Sequence, residues 1–184
     1  MTDLADRPVL TIPVGERDHI LGPENAQITL VEYGDYECPS CGEAYFTIKQ
    51  LQINLTPRIR FVFRNFPKST IHPHAQHAAE AAEIAAAQGN FWEMHDYLYE
   101  HQKHLDDKSL VKYAASLGLD SGQFKRELKD HIYAERVHED FMSGVLSGVN
   151  ATPTFFINGY RHNGTMDFLT LLMAINEAAQ LQER

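Results

Sequence analysis

Cysteine is scarce in this sequence. Its 184 residues include two, Cys38 and Cys41, and no second Cys-x-x-Cys exists to complete a structural zinc set. Basic clusters are missing as well: the formal net charge is -9 and the pI is near 5.5. No Lys/Arg-rich patch marks nucleic acid or anionic lipid as a partner. Long apolar runs are also absent. The longest uncharged stretch, Phe141 to Tyr160, is broken by Ser143, Gly144, Ser147, Gly148, Asn150 and Pro153, which makes a poor membrane span, so no membrane insertion is expected. The start holds Asp3, Asp6 and Arg7 and lacks the basic and apolar regions of a secretory signal. A soluble, cytoplasmic protein is the expectation, with an exported protein trimmed of its signal as the alternative. In a reducing cytosol a cysteine pair is catalytic or metal-bound more often than a structural staple.

What is present suggests one domain spanning 1–184 with a large insertion. "QITLVEY", Gln27 to Tyr33, is apolar and β-branched enough for a buried strand. "GEAYFTIKQLQINL" spaces Ala44, Tyr45, Ile48, Leu51 and Leu55 as one helical face, so a helix begins near Cys38 and ends before Pro57. "RIRFVFRNF" alternates as a second strand. Residues 67–148 then turn helical: an alanine-rich helix closing at Gly89, a helix opened by an Asn90–Glu93 capping box, one closed at Gly118, and two more up to Gly148. The strand period returns in "TFFI", Asn158-Gly159 and "YRHN", a hairpin signal, before a last helix from Asp167 to about Gln180. The acidic start, up to about Asp18, is expected to be partly loose.

Both cysteines fall at the C-terminal end of the first strand, where open α/β sheets place their chemistry. Two thiols at this spacing can cycle between dithiol and disulfide, supply half a zinc site, or be neighbours by accident; the strand-to-helix context favours redox chemistry. A cysteine at a helix N-terminus meets unpaired N–H groups and the positive end of the helix dipole, which favour thiolate, so Cys38 is the expected nucleophile. Pro39 suits the first helical position. Cys41, one turn on, reaches the Cys38 sulfur and would resolve a mixed disulfide. Asp35 and Glu37 put negative charge beside Cys38 and oppose its ionisation.

"NATPTFFING" adds Thr152-Pro153, a candidate cis bond ahead of a short strand. "CPSC" after a strand, a helical insertion and "GVNATPTFFING" together resemble the DsbA-like branch of the thioredoxin-fold thiol–disulfide oxidoreductases. The resemblance implies an α/β thioredoxin fold with a large helical insertion: a first half at 19–66, the insertion at 67–148 and a second half at 149–184. It implies Cys38 as the attacking and Cys41 as the resolving cysteine, and Pro153 as a cis-proline beside the disulfide. Thr152 would offer backbone groups to an extended substrate. Glu32 would be an acid beneath Cys41 that relays its proton. Pro39, Ser40 and Tyr36 complete the expected substrate contacts. Strongly oxidising members carry histidine where this chain has Ser40, so a milder couple is expected.

The expected activity is disulfide exchange with protein or low-molecular-weight thiol substrates and an unidentified redox partner, with neither organic cofactor nor metal. The rival is a non-catalytic interaction or chaperone-like module whose cysteines are idle or metal-bound. His72, His74, His77, His95, His101 and His104 read as surface or interface residues rather than metal ligands. Phe91, Trp92 and Met94 read as core.

Overall fold

Ile28–Gly34 (β2) and Ile59–Asn65 (β3) are the strands that the apolar runs predict, and each is buried at all but one position. Such burial on both faces explains why β2 reads as a near-continuous apolar run; in β3 the alternating Ile59, Phe61 and Phe63 are buried, and so are Val62 and Arg64 between and beside them. The computed structural model describes residues 8–182. Of these, 8–33, 43–64 and 143–182 form one compact unit, and 34–42 with 65–142 form another.

The first unit is built on a five-stranded sheet in the order β1-β3-β2-β4-β5. Its other strands are His19–Leu21 (β1), Thr154–Ile157 (β4) and Tyr160–Arg161 (β5). β4 runs antiparallel to β2, with Glu32 opposite Phe155 and Tyr33 opposite Thr154. The hairpin forms as predicted: Asn158 and Gly159 both have positive φ, 48° and 86°, the two left-handed positions of a type I′ turn. Its outer strand is two residues rather than four. β1 is absent from the sequence reading; three residues are too few to show a period, and pairing with β3 creates the strand. The helix that starts within the cysteine motif, Pro39–Leu55 (α1), ends as expected before Pro57. The last helix, Phe168–Gln182 (α7), buries Leu171, Ile175 and Ala179.

The start of the chain is more firmly held than expected from Pro8 onward, residues 1–7 lying outside the described ones. Val9 bridges Tyr160, and the Leu10 N–H donates to the Gly159 carbonyl at 2.8 Å. The main cause is Arg64, 1% exposed on β3. Its guanidinium donates to both Asp18 carboxylate oxygens, to the Ile12 and Pro13 carbonyls and to the Tyr33 hydroxyl, at 2.8–3.1 Å. These bonds occupy all five of its N–H donors. Tyr33 continues the network to the Ser143 hydroxyl at 2.8 Å.

The second unit is helical, and its central helix is the alanine-rich one, Ala75–Ala87 (α2). Six of its alanines are buried, and their small size lets Phe91–Glu100 (α3), Asp107–Ser116 (α4) and Ser121–Lys129 (α5) pack around it. The expected Asn90 capping box does not form: Asn90 makes no side-chain cap, and its amide donates to the Gln88 carbonyl at 3.1 Å. The side-chain caps fall instead at Asp106 and Asp120, which accept from Ser109 N and Gln123 N. Ala134–Leu146 (α6) runs from this unit into the first. No helix among the described residues is long and apolar enough to cross a membrane.

Candidate active site

Cys38 is the residue immediately before α1, and Pro39 is its first helical residue. The proline has no N–H to leave unsatisfied there. The Gly42 N–H closes the first turn on the Cys38 carbonyl at 3.1 Å. Both cysteines are buried, Cys38 with 8% of its surface exposed and Cys41 with none. Pro39 and Ser40 are exposed beside them.

The turn that presents Cys38 is fixed by polar residues of the helical unit. The Cys38 N–H donates to the Asp35 carbonyl at 3.1 Å, and the Asp35 N–H donates to Cys41 Sγ at 3.5 Å. The Asp35 carboxylate accepts from Glu37 N at 2.8 Å and Lys68 N at 2.9 Å, and bonds His72 Nδ1 at 2.7 Å. Glu37 grips His74 twice, at its N–H (2.6 Å) and at Nδ1 (2.9 Å). The Gln102 amide donates to the Tyr36 and Cys38 carbonyls at 2.7 and 3.0 Å. Tyr36, expected among the substrate contacts, turns inward: it is 1% exposed, its hydroxyl meets His95 Nδ1 at 3.0 Å and its ring lies 4.9 Å from that of Tyr99.

His72, His74 and Gln102 hold the turn that carries the motif, and the sequence alone did not assign them to it. The histidines read as surface residues, yet two of them engage the very carboxylates flanking the motif. The visible signal is a pair of acids two apart, Asp35 and Glu37, matched by a pair of histidines two apart. Nothing local joins the pairs, which lie 37 residues from each other.

Gly42 has a steric reason in this arrangement. A Cβ built there would overlap Gln102 Oε1 and push away the amide that holds Tyr36 and Cys38. In an ordinary helix Gly→Ala stabilises by about 1 kcal/mol. Gly42→Ala is expected to lose that gain and lower stability by roughly 1 kcal/mol, since two hydrogen bonds to buried carbonyls are forfeited; urea unfolding measures it.

The remaining predicted residues belong to the sheet unit. Glu32 is 2% exposed on β2. The Thr152-Pro153 bond is cis, as expected, and stands just before β4, where the Thr154 hydroxyl donates to the Ala151 carbonyl at 2.7 Å. Both residues are half-buried.

A cysteine pair at a helix start, after a strand of a mixed sheet and with a helical block in the chain, defines the class of DsbA-like thioredoxin-fold proteins. The comparisons agree. The thioredoxin family model matches residues 15–177, so the chain belongs to the thioredoxin family, with the DsbA-like form of its fold. Among solved structures, oxidised BdbD from Bacillus subtilis superposes with a TM-score of 0.85 at 24% identity, covering 95% of this chain and 100% of that one. A thioredoxin-like oxidoreductase from Silicibacter pomeroyi gives 0.79 at 25% identity, covering 90% and 94%. Curated relatives include the Na(+)/H(+) antiporter NhaA 3 of Salinispora tropica, 46% identical over 170 residues, which are 92% of this chain and 26% of that protein. NhaA of Herminiimonas arsenicoxydans is 44% identical over 178 residues, 96% and 28% of the two chains. The chain thus spans about a quarter of the length of these curated relatives.

The comparisons overturn the expected cytoplasmic location. The matching structures include DsbA proteins, among them the thiol-disulfide exchange protein alpha-DsbA2 from Wolbachia pipientis. DsbA-type oxidants keep the bacterial periplasm oxidising, so the likeness favours an exported protein. The expectation failed because it rested on an absence, the lack of a secretory signal among the residues at the start, and an absence does not fix a compartment.

Proposed function

We propose that this chain exchanges disulfides with protein or low-molecular-weight thiol substrates through Cys38 and Cys41. The observation that carries the reading is the placement of Cys38 at the start of α1 with Cys41 buried one turn later and facing the Asp35 N–H. The Cys38 thiolate attacks one sulfur of a substrate disulfide; a Cys38–substrate bond forms, the substrate bond breaks and its other sulfur leaves as thiolate. The Cys41 thiolate then attacks the Cys38 sulfur, closing the Cys38–Cys41 disulfide and releasing the second substrate thiolate. Two electrons pass to the substrate, and the reverse sequence oxidises a dithiol.

Within this proposal Pro39 and Ser40 meet the substrate at the surface, and Tyr36 steadies the turn beneath them. Thr152 and Pro153 offer backbone to an extended substrate, and Glu32 relays the Cys41 proton; these three roles rest on the family resemblance. The chain is read as one domain with residues 67–148 inserted. Thiol titration before and after reductant, paired with insulin reduction, tests the proposal. Two thiols that interconvert with a disulfide and turn over insulin support it; thiols that never pair refute it.

Ser40→His is expected to move the equilibrium with glutathione toward the reduced protein, because an imidazolium beside Cys38 stabilises the thiolate of the reduced form. An unchanged equilibrium counts against that account.

A second reading is favoured by two observations: both cysteines are buried residues, and the curated relatives carry the matching segment within much longer antiporter chains. In it, this segment is a non-catalytic interaction or chaperone-like module that binds through its helical unit, with cysteines idle or metal-bound. The same titration separates the two readings.

A further inference from the structure

Asp35 touches both cysteines through its main chain, accepting from Cys38 N and donating to Cys41 Sγ. Its carboxylate has no exposed surface and is enclosed by three donors: Glu37 N, Lys68 N and His72 Nδ1. An anion buried in this way needs a facing cation or several hydrogen bonds. Of the three donors only His72 can change its charge. Its side chain keeps 17% exposure.

We propose that Asp35 and His72 are a positioning pair for disulfide exchange: Asp35 sets where both sulfurs stand, and His72 decides how much of the Asp35 charge they feel. The proposal rests on the exchange function above. With His72 protonated the pair is neutral. With the ring neutral or removed, the carboxylate keeps its two backbone N–H bonds and its uncompensated charge opposes thiolate formation at Cys38. The other charged or titratable groups of this unit around the turn are Glu37 and His74, which bond each other; Lys68, whose N–H holds Asp35; and His95, which bonds Tyr36.

The test is the rate of iodoacetamide alkylation of Cys38 against pH in a Cys41→Ser background, together with the glutathione equilibrium of the intact pair. His72→Gln keeps a hydrogen-bond donor without the charge. It is expected to raise the alkylation midpoint by about one pH unit and to shift the equilibrium toward the oxidised protein. His72→Lys is expected to restore both. A folded His72→Gln protein with an unmoved midpoint overturns the proposal. Should that variant fail to fold, Asp35→Asn gives the second reading: loss of the negative charge lowers the midpoint if the pair acts as stated, and an unchanged midpoint overturns it. Alkylation needs no substrate disulfide. A wild-type protein that reacts normally with iodoacetamide but never reduces insulin would therefore sink the exchange function, while the pair is still judged from the shift between wild type and His72→Gln.

Discussion

Cys38→Ser is expected to reduce disulfide exchange to the uncatalysed rate, because a serine hydroxyl can neither attack a disulfide nor carry the mixed intermediate. Cys41→Ser should behave differently. It keeps the attacking sulfur and lacks only the one that releases the substrate, so it should accumulate a covalent adduct that reductant dissolves and that intact-mass measurement detects. The two variants together distinguish an ordered pair from two equivalent thiols. Insulin reduction surviving Cys38→Ser, or adducts forming equally on either single-cysteine protein, would remove the basis for assigning the roles. The position of Cys38 at the start of α1, with Cys41 one turn inside it and fully buried, is the physical reason to expect an order.

The largest effect on stability is expected at Arg64. Arg64→Ala removes the cation from a pair whose side chains are 1% and 0% exposed, leaving Asp18 buried and two carbonyls and the Tyr33 hydroxyl short of a donor. Breaking such a pair from one side costs about 3–5 kcal/mol. For a chain of this length that corresponds to a melting point lower by roughly 6–20 °C, which calorimetry reads directly. The pair also dictates a pH dependence. Burial alone would push the Asp18 carboxyl up, but its hydrogen bonds from Arg64 and Gly15 and the nearby positive charge outweigh burial and hold it below the usual range. A carboxylate depressed on folding contributes stability that is fully present above its unfolded value, about 3.9, and disappears as pH falls through the lower folded value. Wild-type stability should therefore fall below about pH 4 in part through this residue, and Asp18→Asn should remove that part of the slope while costing stability at neutral pH.

Much of the scaffold was legible because it repeats locally. The apolar runs at Ile28–Gly34 and Ile59–Asn65, the helical spacing after Cys38, and the Asn158-Gly159 turn each express a rule that works over a few residues. The cysteines were legible for the same reason. What escaped was created by folding. Arg64 finds Asp18 across 46 residues and Gln102 reaches Cys38 across 64, while β1 is a strand only because β3 offers it a partner. His72 and His74 were visible as residue types but not as the partners of Asp35 and Glu37. A side chain's identity limits what it can bond, and the fold alone decides what it meets. Asn90 shows the converse: a sequence pattern that suits a cap went unused because its amide bonded the preceding turn.

The segment 34–42 is grouped with residues 65–142 rather than with the strand it extends, and this bears on how the protein could be shortened. An engineer seeking a minimal fold would excise the helical block as an ornament and keep the CPSC signature. That truncation would delete Lys68, His72, His74 and Gln102, and the surviving motif would be a reactive tip without its mounting.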